Sequence, residues 1–463
     1  MNIYNFSRLL PNGIKKPIKY VYGLIPVNIR LGKVFWDTYK FLQESEWWSR
    51  EKLAEYQFSQ LKKLLKHAYD NVPYYRDLFN QHDIKIENIN DLNDFKKIPY
   101  LDKDSVKKNV ENLIAKNFNK KDLFQTHTSG TTGKPLQFYE DLDCQQKEWA
   151  FVCHQWARVG YKPGNPRIEL RGGINRQNPI FYDPAHKVLR LSPLIGNKEL
   201  VKIYIEKIER SCFEFLHGYP SAIASFAFAI KKYGLKASFS LKACLFASEI
   251  VYKWQREIVN EVFGCRAFSF YGITERVTIA GECEYCSKYH CTPQYAITEI
   301  DENTKEIIGT GFINYATPFI RYRTTDIAKS FSFSACKRCG RNYFPIINEI
   351  EGRLEDFIIT PEGNFISPAA VTHPFKDLKS IKDVQIIQKD IDLILLLIVP
   401  WDNSESDLVL KEATYLTEEL KKMCSPLMNI KYELVNNIEK GPSGKTKWII
   451  SNISKDFIKT GLK

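Results

Sequence analysis

The chain has 463 residues, 44% of them hydrophobic and 13% aromatic, with 66 Lys and Arg against 54 Asp and Glu for a formal charge of +12. Such length and composition exclude a disordered or fibrous chain and leave room for more than one domain. The positive excess is spread without long runs of one sign, which suits an anionic small substrate or loose attraction to a membrane surface better than a nucleic-acid stripe.

The opening "MNIYNFSRLL" (1–10) lacks the apolar stretch and small-residue cleavage site of a signal peptide. No segment approaches the ~20 apolar residues of a membrane span. The expected compartment is therefore the cytoplasm, with at most a peripheral place at the inner face of the membrane. The stretch "IKKPIKYVYGLIPVNIRLGKVFW" (14–36) mixes bases with aromatics and aliphatics. Two readings stay open: a first helix packed on the body, the preferred one, and a segment lying on an anionic bilayer surface.

Residues 44–80 read as helical, because Leu61, Leu64, Leu65 and Ala68 fall on one stripe that ends near Pro73. A further helix start is marked by Asp102 and Asp104 in "KIPYLDKDSV" (97–106). Next comes "HTSGTTGKPLQ" (127–137), rich in hydroxyls and glycine and carrying one lysine. That make-up suits a phosphate: glycines let backbone N–H groups approach, hydroxyls donate and lysine supplies charge. It is not a Walker loop, since Thr128 stands where glycine is needed and Pro135 follows Lys134. Composition alone leaves an inert polar turn open.

From 140 to 265 helical patterns alternate with short apolar runs: "RIELRGG" (167–173), "FEFLHGYP" (213–220) and "LKACLFASE" (241–249). The alternation predicts βα units and a mostly parallel sheet, with ligands at the ends of the strands. Past Gly352 a hairpin, "DFIITPEGNFISP" (356–368), is followed by the strands "VQIIQ" and "LILLLIVP", a helix from about Ser406 to Met423, and the strand "IKYELVN" (430–436). The expected division is an α/β domain over 1–354 and a small α+β domain over 355–463, of about a hundred residues.

The chain carries eleven cysteines. In a reducing compartment they are not a disulfide framework. Cys283 and Cys286, with Cys336 and Cys339, form two C-x-x-C pairs suited to tetrahedral Zn²⁺. Cys283, Cys336 and Cys339 are the expected ligands, with Cys286 or His290 as the fourth and Cys291 close by. Four protein ligands make such a site structural and closed to water. Free thiols are the plain alternative. The remaining cysteines are explained by packing.

Five short segments occur in a particular order: "TSGTTGKP" (128–135), "YGITE" (271–275), "YRTTDIA" (322–328), "GRLEDFI" (352–358) and "GPSGKTK" (441–447). Together they resemble the adenylate-forming superfamily of acyl-CoA synthetases and related ligases. The segments "YQFSQLKKLLKHAYDNVPYYRDLF" and "PFIRYRTTDIA" (318–328) are similar to the phenylacetate-CoA ligase family, and more narrowly to its capsule and O-antigen polysaccharide relatives.

The resemblance implies ATP, Mg²⁺ and a carboxylic acid as reactants, giving acyl-AMP and pyrophosphate. The acyl group then passes to coenzyme A or to an amine acceptor. It implies that Thr128, Ser129, Gly130, Thr131, Thr132, Gly133 and Lys134 wrap the phosphates. Tyr271, beside Gly272, stacks on adenine, Thr274 touches the α-phosphate, and Glu275 holds Mg²⁺. Asp326 accepts from the ribose hydroxyls with Arg353 close by, and "ASE" (247–249), with Ser248 and Glu249, walls the adenine. Lys445 bridges the attacking carboxylate and the α-phosphate, and Glu355 takes the hinge position, where aspartate or lysine is usual. Phe138 and Tyr139 begin the acyl pocket, and His217, with Arg171 and Arg176, makes it polar. A catalytically silent scaffold of the same family is the alternative function. A homodimer is left open, and nucleic acid is not an expected partner.

Overall fold

The computed structural model describes residues 12–128, 136–171, 178–351, 357–366, 368–371, 373–375, 378–401, 404–439, 448–451 and 453. The described part of the N-terminal arm is helical: Asn12–Leu24, Val27–Ser45, Arg50–Asn71 and Pro73–Gln81. The stripe of Leu61, Leu64, Leu65 and Ala68 is fully buried, and the helix carrying it stops at Val72, the residue that the following proline pushes out of the helical region.

Strands β1 (Phe124–His127) and β2 (Gln137–Glu140) form a separate hairpin. Ten strands follow within the same large body: β3 (Arg167–Leu170), β4 (Ile180–Asp183), β5 (Val188–Leu191), β6 (Phe215–Gly218), β7 (Ala243–Phe246), β8 (Arg266–Gly272), β9 (Ile279–Glu282), β10 (Tyr289–Cys291), β11 (Ala296–Ile300) and β12 (Glu306–Gly311). With β13 (Tyr322–Ser332) and β14 (Ile346–Glu351) they make one twelve-stranded sheet, in the order β11-β12-β13-β14-β10-β9-β8-β7-β6-β3-β5-β4. Strands β5, β3, β6, β7 and β8 run parallel to one another, as the βα alternation predicts, whereas β4 joins β5 antiparallel and the strands from β8 to β11 are joined by antiparallel pairs throughout.

Successive residues of the parallel strands serve two cores. Leu216, Cys244, Phe246 and Ala267 face the helices Lys198–Ser211, Pro220–Lys232 and Lys253–Phe263. Phe215, Ala243, Leu245 and Phe268 face the helix Leu142–Ala157 and, beyond it, Phe35, Tyr39 and Leu42 of the N-terminal arm. Both faces are covered, so each parallel strand reads as an apolar run. Truncating a fully buried side chain such as Leu245 to alanine costs about 2–5 kcal/mol here.

A third unit lies near the C-terminus. Strands β17 (Ile381–Asp390), β18 (Leu393–Pro400), β19 (Asn429–Leu434) and β20 (Ile449–Ser451) form a four-stranded sheet of order β19-β18-β17-β20. The helix Ser406–Cys424 covers it through Ala413, Leu416 and Leu420. The short hairpin β15 (Ile358–Ile359) and β16 (Phe365–Ile366) touches both bodies. Phe357, Ile359 and Phe365 join the core of the parallel sheet, with Phe365 5.0 Å from Trp254, while Ile358 and Ile366 join the C-terminal core. Glu355, the expected hinge and domain boundary, lies outside the described residues, as does Arg353.

Candidate active site and metal-ligand cluster

The carboxyl ends of β3, β6, β7 and β8 lie side by side, which is where open parallel sheets place ligands. Strand β8 ends at Gly272, and Thr274 and Glu275 occupy the turn that follows. That turn crosses over β12 at backbone distance. A Cβ on Gly309 or Gly311 would sit 2.4 Å from the carbonyl of Val277 or 2.0 Å from that of Arg276. Two bare positions in β12 therefore set where Glu275 lies.

The Glu275 carboxylate accepts a hydrogen bond of 3.0 Å from the Tyr322 hydroxyl. Burial raises the Glu275 pKa above the usual carboxylate value, and nearby Asp326 adds to this, while the charge of Lys103 opposes it. Lys103 is brought there because Leu101 bridges to β13: its N–H donates to the Arg321 carbonyl and its own carbonyl accepts from Arg323. The sequence reading missed Tyr322 and Lys103 as parts of this site. The only local signals for them were the "YRTTD" motif and a helix start in "YLDKDSV".

Asp326 is placed by an irregularity. The β12–β13 register slips between Glu306 and Ile308, so the chain from Arg323 to Ile327 carries extra residues. Within this bulge Thr325 has φ 68°, a left-handed conformation that costs a β-branched residue energy, and its N–H donates to Glu306 at 2.8 Å. The Asp326 carboxylate then accepts from the Tyr271 hydroxyl at 2.8 Å. That bond joins the tip of β8 to the bulge of β13 and fixes the Tyr271 ring. Burial, followed by the Asp326 charge, keeps the Tyr271 phenol well above its ordinary range.

Across the parallel strands, His217 in β6 donates from Nδ1 to the Leu245 carbonyl at 2.8 Å, leaving Nε2 as an acceptor 3.3 Å from the Arg171 guanidinium. Burial and Arg171 push the His217 pKa down to about 3, so the ring is neutral. Arg171 also reaches Ser248 at 3.4 Å, and among the described residues no carboxylate pairs with it. Ser248 has φ 70°, a second strained position at a strand end. Its neighbour Glu249 accepts from the N–H and hydroxyl of Ser221, at 3.1 and 3.0 Å, in the first turn of the helix Pro220–Lys232. A carboxylate there offsets the positive helix end.

Thr128 closes the base of the β1–β2 connection, its N–H donating to the Leu136 carbonyl and its hydroxyl accepting from the Leu136 N–H. Ser129, Gly130, Thr131, Thr132, Gly133 and Lys134 lie outside the described residues, and so do Arg176 and Lys445. Phe138 is fully buried against Phe319, and Tyr139 is almost as buried, its hydroxyl accepting from Gln137 and its ring beneath Lys120. Both aromatics are thus engaged in packing contacts.

In the cysteine clamp the fourth position is taken by His290, the second of the two expected candidates. The ligand atoms of Cys283, His290, Cys336 and Cys339 lie within 4.8 Å of one another. Cys286 is not in this quartet. It sits half-buried in the turn between β9 and β10, whereas His290 lies within β10, paired with Gly281 of β9 and with Ile346 of β14. His290 Nδ1 is 3.8 Å from the Cys339 sulfur, and its Nε2 is a buried nitrogen with no protein partner. Three thiols and an imidazole are a zinc donor set. Arg341 holds the quartet's loops against the N-terminal arm, contacting both oxygens of Glu284 at 2.7 Å and Glu46 at 3.0 Å. The Arg266 guanidinium donates to the Cys283 carbonyl and so fixes the backbone of that ligand.

Comparison with known proteins bears on the fold and the relatives of the chain. Residues 358–452 match the family model described as the CapK C-terminal domain. Protein CapK of Staphylococcus aureus is 25% identical over 97% of this chain and 99% of its own length. Phenylacetate-coenzyme A ligase of Thermus thermophilus is 25% identical over 68% of this chain and 74% of its own. The chain is thus similar to Protein CapK over nearly its whole length and to a phenylacetate-coenzyme A ligase over about two thirds of it. Its fold is that of a solved CoA ligase. It aligns with a crystal structure of 2-hydroxyisobutyryl-CoA ligase, in complex with 2-HIB-AMP and CoA, at a TM-score of 0.58 and 15% identity, covering 90% of this chain and 94% of that one.

Proposed function

We propose that this chain is an AMP-forming ligase that activates a carboxylic acid with ATP and passes the acyl group to coenzyme A or to an amine. One observation carries the reading: Glu275 accepts from Tyr322 and Asp326 from Tyr271, and the two carboxylates lie close enough for the charge of Asp326 to act on Glu275. In the first step a carboxylate oxygen of the acid bonds to the α-phosphorus of ATP. The bond from that phosphorus to its bridging oxygen breaks, and pyrophosphate leaves with the electron pair. In the second step the thiol or amine attacks the acyl carbon and AMP departs.

In this reading Asp326 accepts from the ribose hydroxyls, and Tyr271 offers its ring to the adenine beside Gly272 and Ser248. Thr274 donates to the α-phosphate. Glu275 would hold Mg²⁺, a hard cation suited to a carboxylate beside phosphate, which supplies charge neutralisation at the transferring group. The loop residues 129–134, Arg353 and Lys445 belong to the proposal by resemblance alone. Lys445 would stabilise charge building between the acid and the α-phosphate, so Lys445→Ala abolishes adenylation with nucleotide binding kept. The quartet Cys283, His290, Cys336 and Cys339 would hold a structural zinc. The likeness to the capsule branch supports a setting in polysaccharide synthesis.

The test is hydroxamate formation from a panel of aryl, short-chain, hydroxy and amino acids with ATP, Mg²⁺ and hydroxylamine, each with and without coenzyme A. A hit with thioester formation establishes the coenzyme A ligase, and a hit without thioester points to the amine acceptor. Silence across the panel, with ATP still bound, favours the silent scaffold.

A further inference from the structure

The first described helix, Asn12–Leu24, leaves an apolar stripe exposed. Pro17, Tyr20, Val21 and Leu24 stand at i, i+3, i+4 and i+7, one stripe of the helix, and all four are exposed. Val21 is 64% and Leu24 83% exposed, and Ile29, past the turn that ends the helix, is 66% exposed. The opposite side meets the body. Gly23 approaches so closely that a Cβ would lie 2.2 Å from the Pro184 carbonyl, and Lys19 lies 5.7 Å from the centre of the Phe181 ring. Arg30 anchors the following turn by donating to the Ala185 carbonyl. Phe181 and Tyr182, on the edge strand β4, extend the exposed apolar surface.

The side turned to the body carries Ile18, Lys19, Tyr22 and Gly23, so the stripe of Pro17, Tyr20, Val21 and Leu24 is a second apolar side left exposed. The charge of the segment states what would cover it. Residues 1–36 carry six bases, Arg8, Lys15, Lys16, Lys19, Arg30 and Lys33, and no acid before Asp37. A second copy of this chain meeting the stripe by two-fold symmetry would set these like charges against themselves. An anionic bilayer complements both features, since its headgroups attract the bases while its acyl boundary takes the stripe. At 13 residues the helix is about 20 Å long, enough to lie in the interface plane, and no helix among the described residues is long and apolar enough to cross a membrane.

We propose that the face formed by Pro17, Tyr20, Val21, Leu24 and Ile29, in a segment whose sequence is basic, is a peripheral docking surface for an anionic lipid bilayer. Docking there holds the ligase at the membrane surface without inserting a span. The surface lies on the β4 edge of the sheet, and the nucleotide-facing ends of β8 and β13 belong to other strands of it.

Sedimentation of the full chain with vesicles tests this, using phosphatidylcholine alone and equal parts of phosphatidylcholine and phosphatidylglycerol. The expected result is binding to the mixed vesicles only, weakened about tenfold or more by Val21→Ser with Leu24→Ser, by Lys15→Gln with Lys16→Gln, and by raising salt to about 0.5 M. The substituted apolar side chains are exposed, so an unchanged thermal melt confirms that each variant is folded. Absence of binding, equal binding to both vesicle types, or indifference to the Val21 and Leu24 changes overturns the proposal. So does a doubled solution mass that Val21→Ser with Leu24→Ser abolishes, which would make the face a contact between copies.

Discussion

The Tyr271 hydroxyl donates to the Asp326 carboxylate at 2.8 Å, tying the end of β8 to a strained bulge in β13. The carboxylate is thereby fixed before any nucleotide arrives, so binding has less side-chain freedom to remove. Asp326→Ala is expected to weaken ATP or AMP binding by about 10- to 100-fold, the range for losing hydrogen bonds to a charged group. Tyr271→Phe keeps the ring and loses one hydrogen bond, so its effect stays within about tenfold. Calorimetric titration of AMP into each variant compares the two, and a Tyr271→Phe loss as large as that of Asp326→Ala would contradict the assignment.

Glu275 is buried with its pKa raised, so ionising it in the folded state carries a cost. The folded value lies above the unfolded one. Its favourable contribution is present below the unfolded pKa and is lost as pH rises through the folded pKa. Glu275→Gln is therefore expected to raise Tm at neutral pH, and the gain should vanish in acid. If Glu275 holds Mg²⁺ as proposed, the same change should lower adenylation at least about 100-fold. Melting curves at pH 7 and pH 4 check the first part, and a destabilised variant at pH 7 would contradict it.

His217 behaves in the opposite direction. Its pKa is held down to about 3, so the neutral ring favours the fold above the unfolded value of 6.5, and that contribution is lost as pH falls toward 3. His217→Gln supplies a donor and an acceptor without a titrating charge. The wild type is expected to lose stability more steeply than this variant between about pH 6.5 and pH 4. Parallel melts across that range decide it.

The quartet predicts about one zinc per chain that survives dialysis. Cys339→Ser should lose the metal and lower Tm by several degrees, whereas Cys286→Ser should keep it. Metal analysis of the two variants separates the ligand sets, and loss of zinc from Cys286→Ser alone would restore the C-x-x-C pairing suggested by spacing.

The parallel half of the sheet was legible because "RIEL", "FLHG" and "ACLF" are apolar runs bounded by turn residues and buried on both faces. The antiparallel half was not. Strands β9 to β14 pair mostly with their chain neighbours, but the sheet is continuous only because β10 pairs with β14, His290 beside Ile346, a junction that no local period reveals. The same division runs through the candidate sites. Asp326 and Tyr271 stand in short motifs, while the Tyr322–Glu275 bond and the approach of Lys103 depend on Leu101 bridging to Tyr322 across more than two hundred residues. Spacing found the cysteines, but His290 displaces Cys286 only once β10 has paired with β9 and β14.

The central claim is adenylation, and carboxylate-dependent exchange of labelled pyrophosphate into ATP measures it most directly, with wild type and Glu275→Gln run side by side. Exchange that requires the acid and Mg²⁺ and falls at least about 100-fold in Glu275→Gln is the predicted result. Exchange unchanged by that substitution, or none with any acid while ATP is bound, would contradict it.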